Sequence, residues 1–182
     1  MNNKIGIGIA GLGTVGEGFL KQLKKYKTSN KKASNFELIN IAVKNLRKKR
    51  NVTTKNLPLI KDTLSLASNP KIDIVIELIG GSSGVAYKLV KKSLMNGKSI
   101  ITANKALLAI HGNELIKIAE KNDCFISFEA AIAGGIPVVK AIRENLKFNE
   151  ITKVYGILNG TCNYILTKME TEGKDFNSVL KD

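Results

Sequence analysis

The apolar positions of this chain change period along its length, and the changes mark out its elements. Isoleucines at every second position in Ile5-Gly6-Ile7-Gly8-Ile9-Ala10 predict a strand. Val15, Phe19, Leu20 and Leu23 then recur at spacings of three and four, the stripe of an amphipathic helix. The lysine-rich stretch Thr28 to Asn35 has no apolar period and reads as a loop, Leu38–Val43 reads as a second strand, and Arg47 to Asn56 reads as another basic stretch without structure. The short β-branched run Ile72–Leu78 is a central-strand candidate. The segment Gly84–Asn96 puts Val85, Leu89, Val90 and Leu94 on one helical face, with Gly97 as its C-cap.

Downstream, Ser99–Thr102 and Cys124–Phe128 are predicted strands separated by a helix over Glu114–Asn122. Pro137 suits the first turn of a helix reaching about Leu146. Ile151–Leu158 reads as one more strand, Tyr164–Glu170 as a helix, and Phe176 to Asp182 as a helical pattern with no stop signal, so the chain is expected to continue. Strands alternating with helices imply a parallel sheet covered on both faces.

Composition narrows the class. With 182 residues, 43% hydrophobic and 24% charged, the chain has room for one domain, or one and the start of a second. No apolar run approaches the roughly 20 residues needed to span a bilayer, and Met1-Asn2-Asn3-Lys4 leads directly into the first strand. A cytoplasmic protein is expected. Cys124 and Cys162 are too far apart for a disulfide framework and read as small core residues.

The net charge of +14 is mostly lysine; Arg47, Arg50 and Arg143 are the only arginines, and there is no tryptophan. Nucleic-acid surfaces favour arginine and interleaved aromatics, so a solvated basic surface is the better reading. Part of that charge would attract an anionic cofactor.

Four segments carry chemistry. Gly11-Leu12-Gly13-Thr14-Val15-Gly16 lies between a predicted strand and a predicted helix. In that setting Gly11 allows the turn, Gly13 leaves space for a pyrophosphate, and Gly16 lets the helix pack on the strand. At the end of the second strand, where an acid would bind an NAD ribose, stands Val43-Lys44-Asn45-Leu46-Arg47-Lys48-Lys49-Arg50. A cationic loop there favours NADP over NAD, although Lys48 and Lys49 read better as solvated charges. Glu77-Leu78-Ile79-Gly80-Gly81 closes a central strand, as a plain turn or as a close approach to cofactor. Thr102-Ala103-Asn104-Lys105 also follows a strand; its lysine could meet a substrate carboxylate or simply face solvent, and the residue type alone does not choose. His111, the single histidine, sits beside Gly112 between helical stretches and reads as structural.

These segments, followed in order by Phe128–Pro137 and Gly156–Leu166, resemble the homoserine dehydrogenases over essentially the whole chain. The last two segments discriminate most, because generic dinucleotide-binding folds lack them. The resemblance implies a Rossmann-type, doubly wound α/β domain over residues 1–135. Residues 136–182 would begin an α+β substrate and dimerisation domain. It also implies NAD(P)-dependent interconversion of L-aspartate 4-semialdehyde and L-homoserine, on the route to threonine, methionine and isoleucine. Gly11, Gly13, Thr14, Val15, Gly16, Gly80, Thr102 and Asn104 would contact the cofactor, with Lys44 and Arg47 near its adenosine ribose. Lys105 would meet the nicotinamide end and substrate as a catalytic group. Glu129 with the carbonyls of Ile132, Gly134 and Ile136 would hold a monovalent cation, sodium, and Asn159, Gly160 and Thr161 would border the substrate.

Lys44 and Asn45 depart from the arginine–aspartate pair of many relatives, and Cys162 stands where threonine or serine is common. The family's later acidic substrate ligands and proton-donating lysine would follow Asp182, so low or absent turnover is expected of residues 1–182 alone. The implied assembly is a homodimer at full length, with neither nucleic acid nor membrane as partner. The alternatives are a non-catalytic dinucleotide-binding module and a related reductase such as an aspartate dehydrogenase.

Overall fold

The computed structural model describes residues 4–29, 35–156 and 159–181. Its chain order is β1 (Ile5–Ala10), α1 (Thr14–Ser29), β2 (Phe36–Ala42), β3 (Leu59–Ile60), α2 (Ser65–Ser68), β4 (Ile74–Glu77), α3 (Gly84–Met95), β5 (Ser99–Thr102), α4 (Lys105–Lys121), β6 (Ile126–Ser127), α5 (Glu129–Ile132) and α6 (Val138–Lys140). A π-helical turn over Ala141–Asn145 extends α6, and α7 (Gly160–Glu172) and α8 (Phe176–Lys181) follow. Two compact units result, residues 1–145 and 146–182.

The first unit is built on a six-stranded sheet of order β3-β2-β1-β4-β5-β6, parallel throughout. Successive side chains of a strand face opposite ways, and both faces are covered. Ile7, Ile9 and Ile76 point toward Leu20 and Phe19 of α1. Ala10, Val75 and Ile100 point to the other core, which holds Leu66 of α2, Leu89 of α3 and Leu107 and Leu115 of α4. Full burial of one such side chain contributes roughly 1.5–3 kcal/mol, and this double coverage is what stabilises an all-parallel sheet.

The expected α/β architecture is present, with local corrections. Strand β3 and helix α2 were not expected: Leu59–Ile60 is too short to show a period, and it is a strand because β2 offers it a ladder. Helix α4 starts at Lys105, well before Glu114, since the Asn104 side chain accepts from Leu107 N and caps it. Gly112 is therefore a buried helix-interior residue and His111 lies within α4, not between helices. Of the expected strand over 151–158, residues 151–156 are not in a strand, and Ile157 and Leu158 lie outside the described residues. A strand needs a neighbour to share its hydrogen bonds, and among the described residues none pairs with this segment. Helix α1 runs to Ser29, into the expected loop, whose residues 30–34 lie outside the described ones, as do Met1–Asn3 and Asp182. Gly97 does close α3, with φ +71° and its N–H donating to Leu94 O.

In the second unit α7 and α8 pack together. Cys162, expected in a core, is exposed on the first turn of α7, which buries Ile165 instead. Cys124 is half-buried, and burial pushes its thiol pKa up.

The outer sides of α3 and α4 are joined by a polar clasp. Lys91 Nζ lies 2.7 Å from Glu114 Oε1, Tyr87 Oη donates to the same carboxylate at 3.0 Å, and the His111 ring stacks on Tyr87 at 4.2 Å. The hydrogen bond from Lys91, then that from Tyr87, pulls the Glu114 pKa below the usual range, and the bond to Glu114 raises that of Lys91. A lowered carboxylate pKa stabilises the fold above the ordinary glutamate range and ceases to do so as pH falls through the folded value. Glu114→Gln should therefore lower the melting temperature slightly at neutral pH. The difference from the parent should vanish once the pH is below the glutamate range, as followed by circular dichroism at a series of pH values.

Candidate functional site

The strand order reverses between β1 and β4, and at such a switch point the loops leaving the carboxyl ends diverge and open a crevice. Here the crevice is a cleft of about 980 Å³. Gly11 and Gly13 from the turn after β1, Lys44 and Arg47 from the loop after β2, and Leu78 and Ile79 after β4 all line it.

Each glycine of the first turn has a distinct environment. Gly11 has φ +101°, and a Cβ there would stand 2.5 Å from Leu78 O, so a side chain is excluded on two grounds. A Cβ on Gly16 would lie 2.6 Å from Gly11 O, which shows how closely α1 approaches the turn. A Cβ on Gly13 would meet nothing within 4 Å, so the space above it is open to a ligand. Thr14 and Val15 form the exposed start of α1, where unpaired N–H groups and the positive end of the helix dipole suit a phosphate. Thr14 also borders a smaller cleft of about 320 Å³ on the outer side of this turn, together with Lys21, Lys48 and Lys49.

The basic loop carries Lys44, Arg47, Lys48 and Arg50 into the main cleft, Lys61 joins them from beyond β3, and among the described residues no carboxylate lines it. Lys48, read from sequence as solvated, is among them. Lys61 was not singled out, because it is distant in sequence and reaches the cleft only through the pairing of β3 with β2.

At the ends of β4 and β5 a second group of expected residues comes together around Glu77, which is fully buried. Its Oε1 accepts from Ile79 N at 2.8 Å and Gly80 N at 3.1 Å, and its Oε2 accepts from Thr102 Oγ1 at 2.6 Å. Thr102 Oγ1 in turn accepts from Asn104 N at 3.0 Å, and Asn104 Nδ2 donates to Gly81 O at 2.7 Å. Gly80 and Gly81, with φ +85° and +83°, make the turn that this network holds. Lys105 follows immediately as the exposed first residue of α4. Thr102 and Asn104, expected to face cofactor, are thus buried and committed to one another.

Glu129 begins α5, and its two carboxylate oxygens accept from Val139 N and Lys140 N at 3.0 Å each, fastening the start of α6. Ile132 is the exposed last residue of α5, Gly134 and Ile136 lie exposed between the two helices, and Ile136 O accepts from Val138 N. In the second unit Asn159 Oδ1 accepts from Cys162 N and caps α7, leaving Gly160 and Thr161 in its exposed first turn.

Residues 11–129 match the family model for the homoserine dehydrogenase NAD-binding domain, and residues 137–182 match that for homoserine dehydrogenase. The chain belongs to the homoserine dehydrogenase family. It is 44% identical to the homoserine dehydrogenase of Pseudomonas aeruginosa over 97% of its own length and 40% of that protein's. With the Neisseria gonorrhoeae enzyme it shares 41% over 98% of this chain and 41% of that one. The crystal structure of a homoserine dehydrogenase from Thiobacillus denitrificans superposes with a TM-score of 0.84 at 41% identity, covering 98% of this chain and 41% of the other. The chain thus spans about 40% of the length of these relatives. It carries the family's dinucleotide-binding domain, and a nicotinamide dinucleotide is its cofactor. Among the described residues no helix is long and apolar enough to cross a membrane.

Three outcomes follow from the geometry. Gly16→Ala should destabilise the fold by about 1–3 kcal/mol, because backbone must give way, whereas Gly13→Val should leave the urea midpoint nearly unchanged and abolish dinucleotide binding. Glu77→Gln replaces an acceptor with a donor facing other donors; it should cost about 1–3 kcal/mol in urea unfolding.

Proposed function

We propose that this chain is the cofactor-binding portion of an NADP-preferring homoserine dehydrogenase, which interconverts L-aspartate 4-semialdehyde and L-homoserine. On this reading it serves the synthesis of threonine, methionine and isoleucine and works as a homodimer. Residues 1–135 would bind the dinucleotide and residues 136–182 begin the substrate and dimerisation domain. The observation that carries the cofactor preference is the cleft beside the glycine turn, lined, among the described residues, by five cationic side chains and no carboxylate. An acid there would accept from a ribose 2′-hydroxyl; cations instead suit a 2′-phosphate.

Bound in this cleft, the nicotinamide supplies or accepts the hydride. The chain's own residues bind and orient. Gly13 and the start of α1 receive the pyrophosphate, Lys44 and Arg47 meet the 2′-phosphate, and the turn held by Glu77 supports the nicotinamide end. Lys105, exposed at the head of α4, is free to meet a substrate oxygen and assist proton transfer. Asn159, Gly160 and Thr161 would border the substrate through exposed backbone and hydroxyl groups.

The donor set of Glu129 with the carbonyls of Ile132, Gly134 and Ile136 fits a hard, singly charged cation such as sodium. Each carboxylate oxygen accepts from one backbone N–H and keeps a further lone pair, as does Ile136 O. A cation there would brace the segment between α5 and α6.

Calorimetric titration tests the preference. The parent should bind NADP⁺ more tightly than NAD⁺, and the Lys44→Ala/Arg47→Ala double variant should lose about tenfold or more of affinity for NADP⁺ alone. Equal affinities in the parent would remove the NADP assignment. Homoserine-dependent NADP⁺ reduction by the 182-residue chain would show that Lys105 suffices for proton transfer; binding without reduction would place the decisive donor outside these residues.

A further inference from the structure

Arg50 is the half-buried member of the basic run and binds no phosphate-like group directly in the reading above. Among the described residues its hydrogen bonds all run to main-chain carbonyls. Nη2 donates to Asn45 O at 2.7 Å, Nη1 to Lys48 O at 2.9 Å, and Nε to Leu12 O at 3.4 Å. Two of these carbonyls belong to the loop after β2, and the third belongs to the glycine turn after β1. One planar guanidinium therefore spans two of the loops that line the cleft.

The loop is held from a second direction as well. Asn45 Oδ1 accepts from Arg47 N at 2.9 Å, which folds the backbone between Lys44 and Arg47 into a tight turn. Asn45 thus receives one bond on its side chain and another, from Arg50, on its carbonyl. Among the described residues no carboxylate pairs with Arg50, so its charge remains for the cleft that it lines.

We propose that Arg50 is a positioning residue for cofactor selection. By clasping the Asn45–Lys48 backbone to Leu12 of the glycine turn, it sets the loop conformation from which Lys44 and Arg47 reach a 2′-phosphate. The proposal rests on the NADP reading above and extends it to a residue that touches the cofactor only through others. Lysine cannot substitute, since a single ammonium lacks the rigid fork that serves three carbonyls in different directions.

The test compares the parent with Arg50→Lys, Arg50→Met and Asn45→Ala. Each is titrated calorimetrically with NADP⁺ and NAD⁺, and amide hydrogen exchange is read at Arg47. Arg50→Lys keeps the charge and loses the clasp. It should raise the Kd for NADP⁺ about tenfold, leave that for NAD⁺ within about threefold, and speed exchange at the Arg47 amide. Asn45→Ala opens the same turn from its other side and should reproduce the selective loss even if an Arg50 variant fails to fold. Full retention of NADP⁺ affinity in Arg50→Lys would overturn the positioning role and leave only a charge effect. Equal weakening of both cofactors in Arg50→Lys and Asn45→Ala would overturn it as well. A parent without preference for NADP⁺ would defeat the cofactor reading and this proposal together, whereas a selective parent with an unaltered Arg50→Lys would defeat this proposal alone.

Discussion

A carboxyl group buried at the end of a central strand is the constraint on which the rest of the site depends. Removing such a group from water costs several kcal/mol unless it finds donors, and Glu77 finds three. Two are main-chain N–H groups just beyond it, so satisfying the carboxyl obliges the chain to turn back at Ile79 and Gly80. The third is Thr102, which stands opposite Glu77 in the ladder between β4 and β5. A slip of one residue in that register would carry Thr102 to the other face. Register, turn and hydroxyl are therefore one arrangement. Asn104 extends it: one end of its side chain holds Gly81 and the other caps α4, which puts Lys105 at the head of that helix.

The opposite side of the cleft is governed by cations rather than by a buried acid. Arg50 draws the basic loop against the glycine turn through carbonyl oxygens, and Glu17 secures the next residue by accepting from Asn51 N. The surplus of lysines elsewhere on the surface adds a long-range field that would draw an anionic dinucleotide toward this side. Tight anchoring near β4 and β5, with charge concentrated near β2, separates two tasks. On the proposed reading, one end of the cleft would orient a reacting ring and the other would hold a phosphorylated ribose.

Much of this was legible in the residues. The glycine spacing, the change of apolar period around it, and the absence of an acid after the second strand pointed to the cleft beside the glycine turn and to its charge. Where the reading failed, the missing information was not local. Leu59–Ile60 carries no period of its own and becomes β3 because β2 lies alongside it. Ile151 to Gly156 carries the apolar pattern of a strand and pairs with no neighbour among the described residues. Gly112 looked like a helix break because glycine disfavours helix interiors by about 1 kcal/mol. The cap at Asn104 and the burial of Leu107 and Leu115 outweigh that preference.

The sequence by itself determined the elements whose signals lie within one turn or one strand: the alternation of β1, the helical face of α1, the glycine turn between them, and the sign of the charge beside it. Those signals arise from backbone sterics and from burial of a single face, which act between near neighbours. Only the tertiary structure decided that Lys61 enters the cleft, that Arg50 reaches Leu12 across 38 positions, and that the Thr102 and Asn104 side chains bond to Glu77 and Gly81. Hydrogen bonds between side chains and distant carbonyls depend on which strands lie side by side, and strand order is fixed by the packing of the whole sheet.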